Sequence, residues 1–314
     1  MTKDREQGIG RREVLECMVW AGTGVLWGMS GGVPHSVGLV GEAAAAESTG
    51  FTFLQMSDSH IGFDKKANPD ALGTLREAVA KVKAMKMKPS FIIHTGDITH
   101  LSKPEEFDNA DKVYGETGLR LHYVPGEHDM IDEGQGKAYL DRYGKGTKGA
   151  GWYSFDDHGV HFIGLVNVVD LKAGGLGNLG AEQLAWLEAD LKGKSNSTPI
   201  VVFAHIPLQV LYREWGRGTE DGTQAFALLK RFGSVTILNG HIHQLAQKVE
   251  GNMTFHTAIS TAFPQPAPGT APSPGPMVVP PERLRSMLGL STVTVLQGNK
   301  PLAFVDRTLA DGSL

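Results

Sequence analysis

Gly240-His241-Ile242-His243 places two imidazoles one residue apart, directly behind the apolar run Val235 to Leu238. The run reads as a buried strand, and Asn239-Gly240 as the turn that ends it. Two imidazoles at a strand end can reach a cation, and imidazole suits zinc, iron and related ions. One such pair is weak by itself. It gains weight from further clusters of the same character: Asp58-Ser59-His60, Gly96-Asp97, Gly126-Glu127-His128-Asp129 and Ala204-His205. Each of these also follows a β-like apolar run. The single cysteine, Cys17, lies in the N-terminal segment. A metal site downstream of it therefore uses nitrogen and oxygen ligands, and no disulfide is expected.

The elements that must position these residues alternate. Phe51 to Met56 reads as a strand with Asp58 and His60 just beyond it. Leu72, Leu75, Val79 and Val82 recur at helical spacing between Pro69 and Met85. Phe91 to His94 is the next strand and delivers Gly96-Asp97; Lys103 to Tyr114 is an amphipathic helix; Leu119 to Val124 is a third strand, ending at Gly126-Glu127-His128-Asp129. This alternation predicts a parallel sheet covered by helices, with ligands gathering beyond the carboxyl ends of the strands. Further on, Ala138 to Lys148 reads as a loop, and Trp152 to Phe155 with Val160 to Val166 as a hairpin across Asp156-Asp157-His158-Gly159. Ala173 to Gly180 leads into a helix, Ala181 to Leu191, and the strand Pro199 to Ala204 ends at His205. The loop Pro207 to Gly222 carries Tyr212, Trp215 and Arg217. Two readings of it stand: a lid gripping a phosphate ester, or a packed surface loop. A helix, Gln224 to Phe232, then precedes the histidine pair, and Phe255 to Ile259 is a short strand. Eight of the sixteen prolines fall between Pro264 and Pro281, which reads as a strap over the domain surface. The strands Thr292 to Leu296 and Leu302 to Val305 complete a sheet within the C-terminal segment 282–314.

With 41% hydrophobic and 20% charged residues, the composition excludes dominant disorder. A net charge of −4 with no long basic run gives no electrostatic capture of nucleic acid. At the N-terminus, Arg11-Arg12 precedes a weakly apolar, glycine-interrupted stretch from Cys17 to Met29 and the small residues Ala43 to Ala46. This looks like a twin-arginine signal peptide over residues 1–46. The stretch falls short of the roughly 20 apolar residues of a spanning helix, so no stable membrane insertion is expected. The expectation is a chain handled by the twin-arginine export machinery and delivered to the periplasm or beyond. That route is known for folded proteins, often with cofactors inserted.

Taken in order, Asp-x-His, Gly-Asp, Gly-x-His-Asp, a lone His after a strand and Gly-His-x-His resemble the calcineurin-like metallophosphoesterase superfamily, over about Phe51 to Thr261. The resemblance implies an α/β fold for residues 47–314: a four-layer α/β/β/α sandwich, two central mixed sheets flanked by helices. It also implies two divalent or transition metal ions, manganese, iron or zinc. By position, Asp58, His60, Asp97 and His243 would bind the first metal. Asp97 would bridge, and Glu127, His205 and His241 would complete the second. Two such cations lower the pKa of a shared water to give hydroxide and clamp phosphoryl oxygens during in-line attack. The resemblance places His128 beside the scissile phosphate, to protonate the leaving alkoxide or stabilise the charge building on it, with Asp129 orienting its ring.

Two departures from the pattern matter. The third motif normally carries asparagine where Glu127 stands, which adds a negative charge at the second metal. Purple acid phosphatases carry an iron-ligating tyrosine three residues after the Gly-Asp aspartate. Here that residue is His100, for which two readings stand, a structural histidine or a group lining the substrate mouth. The pattern is closer to the cyclic-nucleotide phosphodiesterase and glycerophosphodiesterase-like branch. His94, His122, His158, His161 and His256 match no ligand position and read as structural. The implied activity is hydrolysis of a small phosphodiester or phosphomonoester. The alternatives are a monoester-only phosphatase and a non-catalytic metal protein silenced by Glu127.

Overall fold

The computed structural model describes residues 50–295 and 302–312, together with the backbone of an antiparallel ribbon, β1 (Val25–Ser30) and β2 (Val33–Gly38). Arg11-Arg12, Ala43 to Ala46 and Leu296, on which parts of the reading above rest, lie outside the described residues.

Buried apolar runs of four to six residues become strands because both of their faces find cover. β3 (Phe51–Met56), β4 (Phe91–His94) and β5 (Arg120–Tyr123) pair in parallel. β12 (Gly289–Val295) joins β3 antiparallel, and β13 (Ala303–Thr308) closes this sheet, in the order β13-β12-β3-β4-β5. A second sheet runs β10 (Ala246–Glu250), β11 (Met253–Thr257), β9 (Val235–Asn239), β8 (Ile200–Phe203), β7 (Val160–Gly164) and β6 (Tyr153–Asp157). Its inner strands β7, β8, β9 and β11 are parallel, with β6 and β10 added antiparallel at the edges.

Phe53, Phe91, Phe162, Phe203 and Leu238 fill the space between the sheets. Phe53 and Phe91 stack with centroids 5.2 Å apart, and Phe162 meets Phe53 edge-on at 5.6 Å. Each such side chain contributes roughly 1.5–3 kcal/mol by leaving water. The helices α1 (Ala71–Ala84) and α2 (Pro104–Gly115) cover the outer face of the first sheet through Leu75, Val79, Phe107 and Tyr114. α1 starts where the Asp70 carboxylate accepts the Gly73 N–H at 2.7 Å, and α2 starts at Pro104, whose missing N–H costs nothing in a first turn. α4 (Gly180–Leu191) and α5 (Gly222–Leu229) cover the second sheet through Leu187, Leu191, Ala225 and Leu229. The result is the four-layer α/β/β/α sandwich with mixed sheets.

Several local expectations are corrected. Part of the stretch read as a loop is a helix, α3 (Lys137–Tyr143), which packs Tyr139 inward. The hairpin turn is only His158-Gly159, with φ of 47° and 78° as a type I′ turn requires, so Asp156 and Asp157 belong to β6. The helix expected over Gln224 to Phe232 ends at Leu229. β10 was not expected at all. From Thr261 to Pro280 the chain has no regular element.

Candidate metal centre and active site

The loops leaving the strand ends are held as one unit. Beyond β3 and β4 the parallel pairing continues: the Asp58 N–H donates to Gly96 O, His60 N–H to Asp97 O and Ile61 N–H to Ile98 O, at 3.0, 2.9 and 3.0 Å. The Gly240 N–H donates to His205 O at 2.9 Å, which joins the loops after β8 and β9. Asp58, His60, Asp97, His241 and His243 all have positive φ, between 39° and 69°. This region costs a non-glycine residue on the order of 1–3 kcal/mol, and strain of this kind collects at functional sites. The backbone approach is also close. A Cβ on Gly126 would stand 2.0 Å from Asp97 Oδ1, and one on Gly96, at φ 95°, would stand 2.5 Å from His205 Nδ1.

These loops bring the predicted ligand atoms into two adjoining groups. In one, His243 Nε2 lies 3.2 Å from Asp58 Oδ1 and 3.2 Å from His60 Nε2. In the other, Glu127 stands between two imidazoles, with Oε2 2.9 Å from His205 Nε2 and Oε1 2.9 Å from His241 Nδ1. Asp97 Oδ2 lies between the groups, 3.4 Å from His60 Nε2 and 3.3 Å from His205 Nε2. Donor atoms that share a cation at bonds of about 2.0–2.2 Å are spaced about 3.0–3.6 Å apart, so these separations suit coordination.

The surrounding groups fix which nitrogen faces inward. His205 Nδ1 donates to Thr95 O and His243 Nδ1 to Phe263 O, each at 2.6 Å, which leaves both Nε2 lone pairs facing the centre. His205 Nε2 and Glu127 Oε2, though 2.9 Å apart, are buried and make no well-aligned hydrogen bond among the described residues. Two orphaned buried atoms of this kind fit a cation between them. Electrostatics agrees. Burial raises the Asp58 carboxyl, but His243 and His205 outweigh it and hold it at about 2. Burial also raises Glu127, and His241 and His205 pull it well below the usual carboxylate range. Burial lowers His205, yet Asp97 and Glu127 push it well up. The centre demands positive charge, and cations supply it without protonating the ligands.

His128 and Asp129 have different tasks. His128 Nδ1 donates to His100 O at 2.7 Å, and its ring stacks on that of His100 with centroids 4.8 Å apart. The other ring nitrogen is the one available to a substrate. Burial lowers the His128 imidazole, but Asp97, Glu127 and the His100 carbonyl raise it above its ordinary value. The expectation that Asp129 orients the His128 ring is corrected. Its Oδ2 accepts the Ile98 and Gly126 N–H groups, both at 3.0 Å, and its Oδ1 accepts the Thr99 N–H and O–H, both at 2.8 Å. Asp129 is a buried clamp between the loop carrying Asp97 and the loop carrying Glu127. Burial and the nearby Asp97 raise its carboxyl to about 6 against these donors.

The centre opens into a cavity of about 260 Å³. His60, Glu127 and His128 line it together with Trp215, Arg217 and the proline-rich segment, through Phe263, Gln265 and Pro274 to Pro276. Sequence reasoning missed Phe263 and Gln265. The only signal for them was their adjacency to the proline cluster. Of the histidines read as structural, His94 supports the Gly96-Asp97 loop by accepting the Gly96 N–H at Nδ1, while His161 and His256 bond to Asp190 and Asp306 away from the centre.

A four-layer sandwich with clustered Asp and His ligands above its strand ends defines a metal-dependent phosphoesterase. Residues 51–245 match the calcineurin-like phosphoesterase family, and the chain belongs to it. It is a hydrolase acting on phosphoric ester bonds. The chain is 27% identical over 196 residues to the glycerophosphodiester phosphodiesterase GpdQ of Enterobacter lignolyticus, which covers 60% of this chain and 69% of that protein. Among solved structures, its fold is similar to a dimetal phosphatase from Danio rerio, with a TM-score of 0.57 and 14% identity over 82% of this chain and 98% of that one. It is also similar to the purple acid phosphatase PPD1 of yellow lupin, with a TM-score of 0.61 and 14% identity over 85% of this chain and 52% of that one. Among the described residues, no helix is long and apolar enough to cross a membrane.

Proposed function

We propose that the chain hydrolyses a small phosphodiester at a two-metal centre of manganese, iron or zinc. The observation that carries this reading is Asp97 Oδ2 lying within 3.4 Å of imidazole nitrogens from both ligand groups. Asp58, His60 and His243 would hold one cation, Glu127, His205 and His241 the other, and Asp97 both. The cations supply Lewis acidity and an activated water nucleophile. His128, fixed at Nδ1, delivers a proton from its other nitrogen to the departing alkoxide oxygen. The Glu127 carboxylate reaches both neighbouring imidazoles, which supports a working second site rather than a silenced one. The likeness to a glycerophosphodiester phosphodiesterase supports a diester over a monoester.

The test is turnover of bis(p-nitrophenyl) phosphate beside p-nitrophenyl phosphate by the metal-loaded protein. Preferred cleavage of the diester is expected, with loss of both activities in Asp97→Asn. Cleavage of the monoester alone, or unchanged turnover by Asp97→Asn, overturns the reading. Export through the twin-arginine route is part of the proposal and rests on Arg11-Arg12 and Ala43 to Ala46. Replacing both arginines by lysine is expected to retain the chain in the cytoplasm; undiminished export would contradict it.

A further inference from the structure

Arg217 is a guanidinium in an unusual position. It is 1% exposed, yet it lines the cavity that also holds His128 and Glu127. Its Nη2 donates to Gln265 Oε1 at 3.1 Å and to Pro266 O at 3.0 Å. Its plane rests on the Trp215 ring, with Cζ 4.8 Å from the ring centroid. Nε and Nη1 are buried and have no hydrogen-bond partner among the described residues. Among the described residues no carboxylate pairs with it, and burial alone acts on its ionisation, in the downward direction.

A buried guanidinium with no anionic partner is costly, because two neutral acceptors and a ring face replace only part of its hydration. A chain that needed only packing at this position would be better served by an apolar residue. The braces on Nη2 and on the ring face hold the side chain with Nε and Nη1 still unpaired, and a preorganised guanidinium with unused donors suits an anionic oxygen. On the reading above, cations held by His60, Asp97 and Glu127 in the same cavity would take the reacting phosphoryl group. An anion at Arg217 therefore belongs to another part of the substrate. The cavity, about 260 Å³, falls just below the usual range of about 300–1,000 Å³ for small-molecule sites, so that group is near the ester.

Building on the phosphodiester reading, we propose that Arg217 is a specificity-determining residue that pairs with a second anionic group, a phosphate or a carboxylate, on the substituent of the ester. Trp215 and Gln265 are positioning residues that hold the guanidinium for it.

The test is calorimetric binding to the metal-loaded full chain, which requires no turnover. The probes are propylphosphonate, 3-phosphonopropionate and propane-1,3-bisphosphonate. A second anionic group is expected to tighten binding about 10–100-fold in the wild type, as a charge-assisted hydrogen bond does, and to lose most of that gain in Arg217→Gln. Whichever anionic probe shows the larger gain identifies the natural group. Arg217→Lys, which keeps the charge but not the planar fork, is expected to retain part of it. Metal content and thermal unfolding of each variant report whether it is folded. If the wild type binds all three probes equally, the proposal is overturned, whether or not the variants fold. Equal loss on all three probes in a folded Arg217→Gln also overturns it, because the residue then serves the reacting group or the scaffold. A retained preference without diester turnover would instead refute the phosphodiester reading and leave the anion site standing.

Discussion

Asp129→Asn separates two roles for this carboxylate. At pH 7.5 Asp129 is ionised, since its carboxyl titrates at about 6. It accepts the Ile98 and Gly126 N–H groups at Oδ2 and the Thr99 N–H and O–H at Oδ1. Asparagine has one acceptor oxygen. If its amide nitrogen faces Thr99, the hydroxyl can rotate to accept, but the Thr99 N–H is left opposed by another N–H. If it faces the other way, two N–H groups are stranded. A buried donor left unpaired costs about 1–3 kcal/mol, and the surviving bonds lose their charge assistance. The less costly rotamer therefore destabilises by about 2–4 kcal/mol. Urea unfolding of chelated protein at pH 7.5 reads this as a lower midpoint at unchanged slope. Turnover should fall with it, because the loops carrying Asp97 and Glu127 are no longer tied together. A variant within about 0.5 kcal/mol of wild type, but slow in turnover, would refute the clamp and restore the role of orienting His128.

Three further outcomes follow from the same geometry. His128→Ala is expected to keep its metal content and lose about 10²–10⁴-fold in kcat; a fall in metal content would make His128 a ligand. Gly126→Ala forces Asp97 to retreat by about 1 Å, since a Cβ would meet its Oδ1 at 2.0 Å, and a shift of that size costs on the order of 10²-fold in kcat. Unimpaired kcat in that variant would show that the loop relaxes freely. Burial holds His94 at about 3, against an ordinary 6.5, so the unfolded chain takes up its proton first as the solution becomes acid. Stability of the chelated protein should therefore fall between pH 6.5 and 3, by on the order of 4 kcal/mol from this group, and be steady below. His94→Gln should flatten that part of the curve in equilibrium unfolding; an identical pH dependence in both proteins would contradict the assignment.

The strand ends were legible because Val235 to Leu238, Phe91 to His94 and their like are too apolar and too short for anything but buried strands. The polar clusters behind them then had one place to go. What stayed hidden depended on tertiary partners. Lys137–Tyr143 spans only about two helical turns between glycines, too little for a period to show. Ala246–Glu250 is a half-exposed edge whose pairing is supplied by β11. The identity of Asp129 was plain, but three of its four donors come from a loop about thirty residues away, and only the fold brings Ile98 and Thr99 to it. Arg217 was noticed in a loop with two open readings. Its burial arises when Gln265 and Pro266, some fifty residues later, fold across it.

The central claim is that two adjoining ligand groups share Asp97 and work together. The most direct measurement is a metal titration of the chelated chain, with bound cations per chain and diester turnover followed on the same sample. Two cations per chain are expected, with turnover rising as the second binds, and Asp97→Asn is expected to lose both. Full activity with one cation, or two bound cations in Asp97→Asn with turnover intact, would contradict the account.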